Sequence, residues 1–238
     1  MLDDPYAPAV PFYDLFHEDG HVPAIRELLP PLLAGVRRGV IEIGAGTGLI
    51  TEVIARATPA EIHAVEPSPG MRSVLVNRLA RDPELRRRVT VLPCGGLDVQ
   101  VGEPADAVVM ISVLPSFTAD ERPRLWQVLA GRLERDGRLI FNWRDRQPPA
   151  PEPEPGVMGT YQVGRHTYEV AGQVLDVAGE SVTSRFLYRV RQGERLLSED
   201  EVVSTAHWPS STAVAAELKE AGFVQDDAPD GMQVWRAV

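Results

Sequence analysis

The sequence predicts an α/β fold: a parallel sheet with helices on both faces, plus an antiparallel β cap inserted after the fifth strand. Three observations predict it. Between about residues 38 and 143, short apolar runs alternate with segments of helical period, as strands joined by crossover helices do. The first of these runs, "GVIEIG" at 39–44, leads straight into Gly44, Gly46 and Gly48 and then into a helical pattern. After Trp143 the helical period gives way to two-residue alternation broken by turn residues, the signature of antiparallel strands.

Each element follows from its own stretch. "GVIEIG" is a buried strand, and "TGLITEVIARA" is its helix, with Leu49, Ile50, Val53, Ile54 and Ala57 on one face. "AEIHAVEP" is the second strand, with His63 embedded in it; "GMRSVLVNRLARD" is the next helix and "RVTVLP" a short third strand. "DAVVMISVL" supplies the fourth strand. "ADERPRLWQVLAGRLERDG" is expected to be one helix, its Leu125, Val128, Leu129 and Leu133 sharing a face until Gly137 stops it, and "RLIFNW" closes the series.

Prolines at 148, 149, 151, 153 and 155 make 146–155 stiff and extended, a solvated spacer. The strand runs beyond it are "TYQVGRHTYEV", "GQVLDVAG" and "SVTSRFLYRVRQGERLLSEDEVVSTAHW", the last folded at "RQGE". "SSTAVAAELKEAGFV" is a serine-capped helix ended by Gly222, and "FVQDDAPDGMQVWRAV" a terminal hairpin around "PDG". The expected organisation is one domain over 1–238: an N-terminal helical lid (1–37), a cofactor-binding core (38–145), the inserted β cap (146–207) and a C-terminal return to the core (208–238).

Composition sets the function classes aside. A chain of 238 residues, 44% hydrophobic, can build one sizeable core. The single cysteine, Cys94, rules out an internal disulfide framework and fits a reducing compartment. With neither a signal pattern nor an apolar run of bilayer length, the expectation is a cytoplasmic protein without a membrane partner. A formal net charge of −10 argues against a nucleic-acid partner. The one basic cluster, "RDPELRRR" at 81–88, reads as a solvated helix end. No pair of His or Cys is read at metal-ligand spacing, so no metal is expected.

The glycine corner carries the chemistry. Gly44, Gly46 and Gly48 leave bare backbone at the carboxyl edge of the sheet, where open α/β folds bind ligands. A dinucleotide turn needs glycines at its first, third and sixth positions, and the sixth here is Leu49. Glu42 would repel a pyrophosphate and attract a ligand bearing an ammonium and a sulfonium. Glu66 ends the second strand about twenty residues later, where a carboxylate grips the two hydroxyls of a ribose.

"EIGAGTG" followed by "AVEPSPGM" closely resembles motif I and its follower in the class I methyltransferases that use S-adenosylmethionine. "DAVVMISVL" is similar to that family's fourth strand, and "GRLERDGRLIFNW" to its approach to the fifth, so the resemblance spans 36–143. It implies a Rossmann-like class I methyltransferase sheet, S-adenosylmethionine as cofactor and methyl transfer as the reaction. It places Gly44, Ala45 and Gly46 against the methionine part and Glu66 on the ribose. Pro67 and Met71 wall the adenine with Leu97, while Ile111 and Val113 reach the cofactor from the fourth strand. Where many relatives carry an acid that holds the adenine amine, this chain has Gly95, with Asp98 displaced. "VPFYDLFHEDG" resembles the "YD" segment of small-molecule methyltransferases, amino-sugar and glycine N-methyltransferases among them, and Tyr13 is carried over as an aromatic lid on the cofactor. The inserted strands are similar to those that cover the acceptor in these enzymes.

Methyl transfer asks the protein for alignment and exclusion of water, and for a base only where a proton must leave. His17, His166 and His207 lie in segments placed near the cap and are the candidates, His207 of "TAHWPSS" foremost. The fourth-strand end, Ser112 to Ser116, lacks the Asn/Asp-Pro-Pro-aromatic signature that holds a flipped base. The expected acceptor is therefore an amine or hydroxyl of a small molecule, a sugar or secondary metabolite. The alternatives are a protein or nucleic-acid methyltransferase, or a relative that binds the cofactor without methylating. Open cap edges admit a homodimer.

Overall fold

Two helices, α1 (Val10–Glu18) and α2 (Val22–Leu32), precede the sheet in the computed structural model, which describes residues 4–238. The core then runs β1 (Gly39–Ile43), α3 (Leu49–Ala57), β2 (Glu61–Val65), α4 (Pro69–Ala80), α5 (Pro83–Arg88), β3 (Val89–Leu92), β4 (Ala105–Met110), α6 (Arg122–Ala130) and β5 (Leu133–Asn142). The cap follows as β6 (Gly156–Val163), β7 (His166–Ala178), β8 (Ser181–Gln192) and β9 (Arg195–His207). Helix α7 (Ser211–Glu220), β10 (Phe223–Asp226) and β11 (Met232–Ala237) return the chain to the core.

The main sheet has the order β3-β2-β1-β4-β5-β11-β10. Strands β1 to β5 pair in parallel, and β11 lies antiparallel between β5 and β10. Because successive side chains of a strand point to opposite faces, Val40 joins the cluster under α2, α3 and α4, whereas Ile41 and Ile43 join the cluster under α6 and α7. Glu42 shares the face of Val40 and points at α3. The chain order doubles back at β1 and β4, so their carboxyl ends open the crevice in which such sheets bind ligands.

Three boundaries differ from the sequence reading. Helix α6 ends at Ala130, and Leu133 begins β5 instead of continuing the helical face. Gly131 ends the helix, and the turn at Asp136, in a left-handed conformation, and Gly137 falls inside β5, where the pairing with β4 slips between Ala105 and Ala107. The helix read through "LARD" stops at Ala80. Asp82 then caps the separate helix α5, its carboxylate accepting from the N–H groups of Glu84 and Leu85. One arginine of that basic cluster is therefore structural: Arg88 donates to the carbonyls of Ala55 and Thr58 at the end of α3. In the cap, the runs divided in the sequence at Ala171 form one strand, β7, and the turn falls at Gly164.

The four cap strands form an antiparallel sheet in sequence order. The proline segment is not wholly a free spacer, since the Glu152 N–H donates to the Val174 carbonyl and the Glu152 carbonyl accepts from the Gln173 side-chain amide. Helix α1 packs on the cap through Phe12, whose ring lies 5.2 Å from those of Tyr168 and Tyr188. Arg122 joins core to cap from a position only 2% exposed. Its guanidinium donates to Glu180, in the β7–β8 turn, and to Glu217 of α7.

Candidate active site

The corner after β1 is fixed by backbone hydrogen bonds. The N–H groups of Gly44 and Ala45 both donate to the Val65 carbonyl, which ties the turn to the end of β2. Gly44 and Gly46 have φ of 72° and 56°, left-handed values that glycine adopts without the strain a side chain would meet. A Cβ on Gly44 would stand 2.4 Å from Val113 Cγ2. Gly48 caps α3.

Two carboxyls lie beneath this turn. Glu42, 2% exposed, accepts a 2.6 Å bond from the Thr51 hydroxyl. Burial pushes its carboxyl up to about 8; the Thr51 bond opposes that shift and nearby Glu66 adds to it. Glu66 is 5% exposed and accepts at both oxygens, from the Gly46 N–H and the Ser68 N–H, each at 2.8 Å. Burial raises its pKa too, against the pull of those two donors.

The N-terminal segment is drawn across the corner. The Tyr13 hydroxyl sits 3.4 Å from the point a Cβ on Gly46 would occupy, and burial, with Glu66 next in weight, raises its pKa. Asp14 accepts from the Thr47 hydroxyl and from Arg78, whose Nε also donates to the Thr47 carbonyl. Asp4 accepts from the Ser68 hydroxyl and the Gly70 N–H at the start of α4. A small space of about 20 Å³ lies at the corner, bordered by Tyr13, Gly44, Ala45, Thr47 and Ile111.

Two larger cavities flank it. One, of about 430 Å³, lies between α1 and the cap and is walled by Phe12, Tyr13, Phe16, Met158, Phe186 and Tyr188. The other, of about 340 Å³, lies at the ends of β4 and β5, among His21, Ser112, Asn142, Trp143, Arg144 and Trp208. Asn142 accepts from the Ser112 N–H at 2.6 Å and so joins the two strand ends.

Of the remaining sequence-predicted residues, Ile111 is buried and Val113 packs on Gly44. Met71 is buried in the first turn of α4, Pro67 is exposed, and Leu97 is half-buried in a short 3₁₀ turn at Gly96–Asp98. Of the three histidines, His17 lines both the cavity under the cap and the small space at the corner. His166 begins β7 next to the β6–β7 turn, and His207 ends β9 with its Nδ1 3.1 Å from the Ser181 hydroxyl, directly after Ser204, Thr205 and Ala206, which line the cavity under the cap. The sequence reading missed Asp4, Asp14, Thr47 and Arg78, whose partners are distant in the chain. It also missed His21, whose spacing of four from His17 was visible. Their Nδ1 atoms lie 3.2 Å apart, so two histidines do meet; among the described residues no group of three or more His, Cys, Asp or Glu that could hold a metal accompanies them.

Residues 41–139 match the family model of a methyltransferase domain. No curated protein matches the sequence. Solved structures of similar fold include DesVI of Streptomyces venezuelae, at TM-score 0.76 and 18% identity over 95% of this chain and 97% of that one. CalS10, an amino pentose methyltransferase from Micromonospora echinaspora, matches at 0.72 and 15% over 94% and 92%. The sugar N-methyltransferase KedS8 from a Streptoalloteichus species matches at 0.73 and 17% over 94% and 92%. The chain therefore has the fold of the class I S-adenosylmethionine-dependent methyltransferases, cap included. No helix among the described residues is long and apolar enough to cross a membrane.

Proposed function

We propose that this chain transfers a methyl group from S-adenosylmethionine to an amine or hydroxyl of a small molecule, a sugar or secondary metabolite. The observation that carries the reading is a bare glycine corner set over two buried carboxyls, beside a cavity of about 430 Å³ roofed by an added sheet. That volume falls in the range of small-molecule pockets. The corner suits the cofactor: Gly44 and Gly46 present backbone without a side chain there, and an ammonium or a sulfonium would favour the ionised forms of the Glu42 and Glu66 carboxyls beneath it.

When bound, S-adenosylmethionine supplies a methyl group on a positively charged sulfur. Gly44, Ala45 and Gly46 would face its methionine part, with Glu42 beneath them and Ile111 and Val113 beside. Glu66 would exchange its two backbone donors for ribose hydroxyls, while Pro67, Met71 and Leu97 would border the adenine. Tyr13, carried by α1, covers the corner and keeps water out. The aromatic walls contributed by α1 and the cap hold the acceptor, and alignment of this kind is worth about 7–11 kcal/mol. The amino-pentose and sugar N-methyltransferases of the same fold support a sugar amine as acceptor.

Purified protein incubated with methyl-labelled S-adenosylmethionine and a panel of amine and hydroxyl metabolites should give a product heavier by one labelled methyl. Cofactor binding without any labelled product would reject the reading in favour of a binding protein. Two copies paired through the edge strands β6 or β9 in the cytoplasm complete the proposal; a monomer mass in light scattering would remove the pairing.

A further inference from the structure

Two imidazoles stand where the cavities meet. His17 lines the cavity under the cap, His21 lines the one at the ends of β4 and β5, and both border the small space at the corner. Their Nδ1 atoms are 3.2 Å apart and their rings meet edge to face at 4.9 Å. Such a contact holds when one Nδ1 carries hydrogen and the other does not, so one proton is shared between two neutral rings. Tyr13 packs on His17 at 4.2 Å and fixes its plane.

We infer that His17 and His21 form a proton path from the acceptor cavity to the second cavity, with His17 the base that touches the acceptor and His21 the positioning residue behind it. The inference rests on the methyl-transfer reading. In the starting state the His17 Nδ1–H donates to the His21 Nδ1, which leaves the His17 Nε2 bare. An amine nitrogen that has gained a methyl is cationic and gives up one N–H proton; the electron pair of that bond stays on nitrogen, and His17 Nε2 takes the proton. The His17 Nδ1 hydrogen then passes to the His21 Nδ1, and the His21 Nε2 hydrogen leaves to water in the second cavity. One proton enters and one leaves. After the product departs, exchange with water in the two open cavities restores both tautomers.

The surroundings favour passage over storage. Burial holds both imidazoles below the ordinary histidine range, His17 at about 4 with His21 adding to the effect, which disfavours a second proton on either ring. The titratable groups that face the pair are Tyr13 on α1, Tyr6 and Tyr188 across the first cavity, and Arg144, Arg146 and Asp230 across the second.

The test uses the full chain, S-adenosylmethionine and an amine acceptor found by the metabolite panel. H21N places an amide atom near the position of Nδ1 and keeps a hydrogen bond to His17, but it cannot relay a proton; H21A leaves room for added imidazole. Both variants should bind the cofactor as the wild type does and lose roughly 10²-fold in kcat, the scale of proton-transfer catalysis. Imidazole should restore H21A and leave H21N unchanged. In ¹⁵N-histidine spectra the wild type should show one ring protonated at Nδ1 and its partner at Nε2. Undiminished kcat in H21A and H21N, or a loss in H21A that imidazole does not restore, would overturn the path. A wild-type chain that methylates no acceptor removes both readings, whereas turnover that persists in H21A removes only this one.

Discussion

Gly44 and Val113 close the corner from opposite strand ends: Gly44 follows β1, Val113 follows β4, and a Cβ added to the glycine would stand 2.4 Å from Val113 Cγ2. Gly44→Ala meets two penalties that can be separated. The left-handed φ of 72° costs a side chain about 1–2 kcal/mol, and the overlap adds about 1–3 kcal/mol. G44A should therefore lower the midpoint of denaturant unfolding and weaken cofactor binding. V113A on that background should recover the steric part and leave the conformational part. Equal losses in the single and double variants would show that the contact between the strand ends carries no energy.

Asp14 ties α1 to the corner through Thr47 and Arg78, and α1 lays Tyr13 against Gly46. A cofactor that enters past Tyr13 must lift α1, and the tether then sets its rate of access. D14A should speed cofactor association several-fold in stopped-flow binding and speed dissociation more. The ion pair is partly exposed, and its loss should cost no more than about 1 kcal/mol of stability. Unchanged rates would mean that α1 opens elsewhere.

The elements of the core were legible because each rests on local alternation: the five buried residues of β1, the apolar face of α3, the serine cap and final glycine of α7. Legibility failed where one residue satisfied two patterns. Leu133 continues the apolar face of α6 and also begins β5, and nothing local decides between them before the Gly131 break is known to end the helix. Tyr13, Gly46 and Glu66, which the structure brings together, stand in short motifs whose chemistry is written in a few adjacent residues. Asp14 with Arg78, and Arg122 with Glu180, join residues 64 and 58 positions apart, and no spacing rule announces such pairs.

Arg122 serves two carboxylates from inside the core, and Glu180 links it to the cap. R122M would leave Glu180 and Glu217 facing each other without a cation. Because both keep some solvent, the loss should fall near the low end for a broken buried pair, about 3 kcal/mol, in denaturant unfolding. E180Q removes only the charge on the cap side. It should cost about 1 kcal/mol and raise the acceptor KM while cofactor affinity holds. A fall in cofactor affinity equal to the rise in KM would show that the cap does not act on the acceptor alone.

Glu42 makes cofactor binding respond to pH. Its folded carboxyl titrates at about 8, against 4.5 for the free group, so between those values the folded chain holds a proton that the unfolded chain has lost. Stability from this group accordingly falls as pH rises through that window and is level above and below it. A cationic ligand over the corner favours the ionised form, so binding expels the proton and affinity should rise with pH by up to about tenfold per unit until it levels near 8. Glu42→Gln keeps the shape and an acceptor for the Thr51 hydroxyl but cannot ionise. Its affinity for S-adenosylmethionine, measured by calorimetry in buffers of different ionisation enthalpy, should be weaker at pH 8 and flat with pH, with no proton released on binding. A wild-type affinity that is flat from pH 5 to 8, with no proton released, would place the cation away from Glu42.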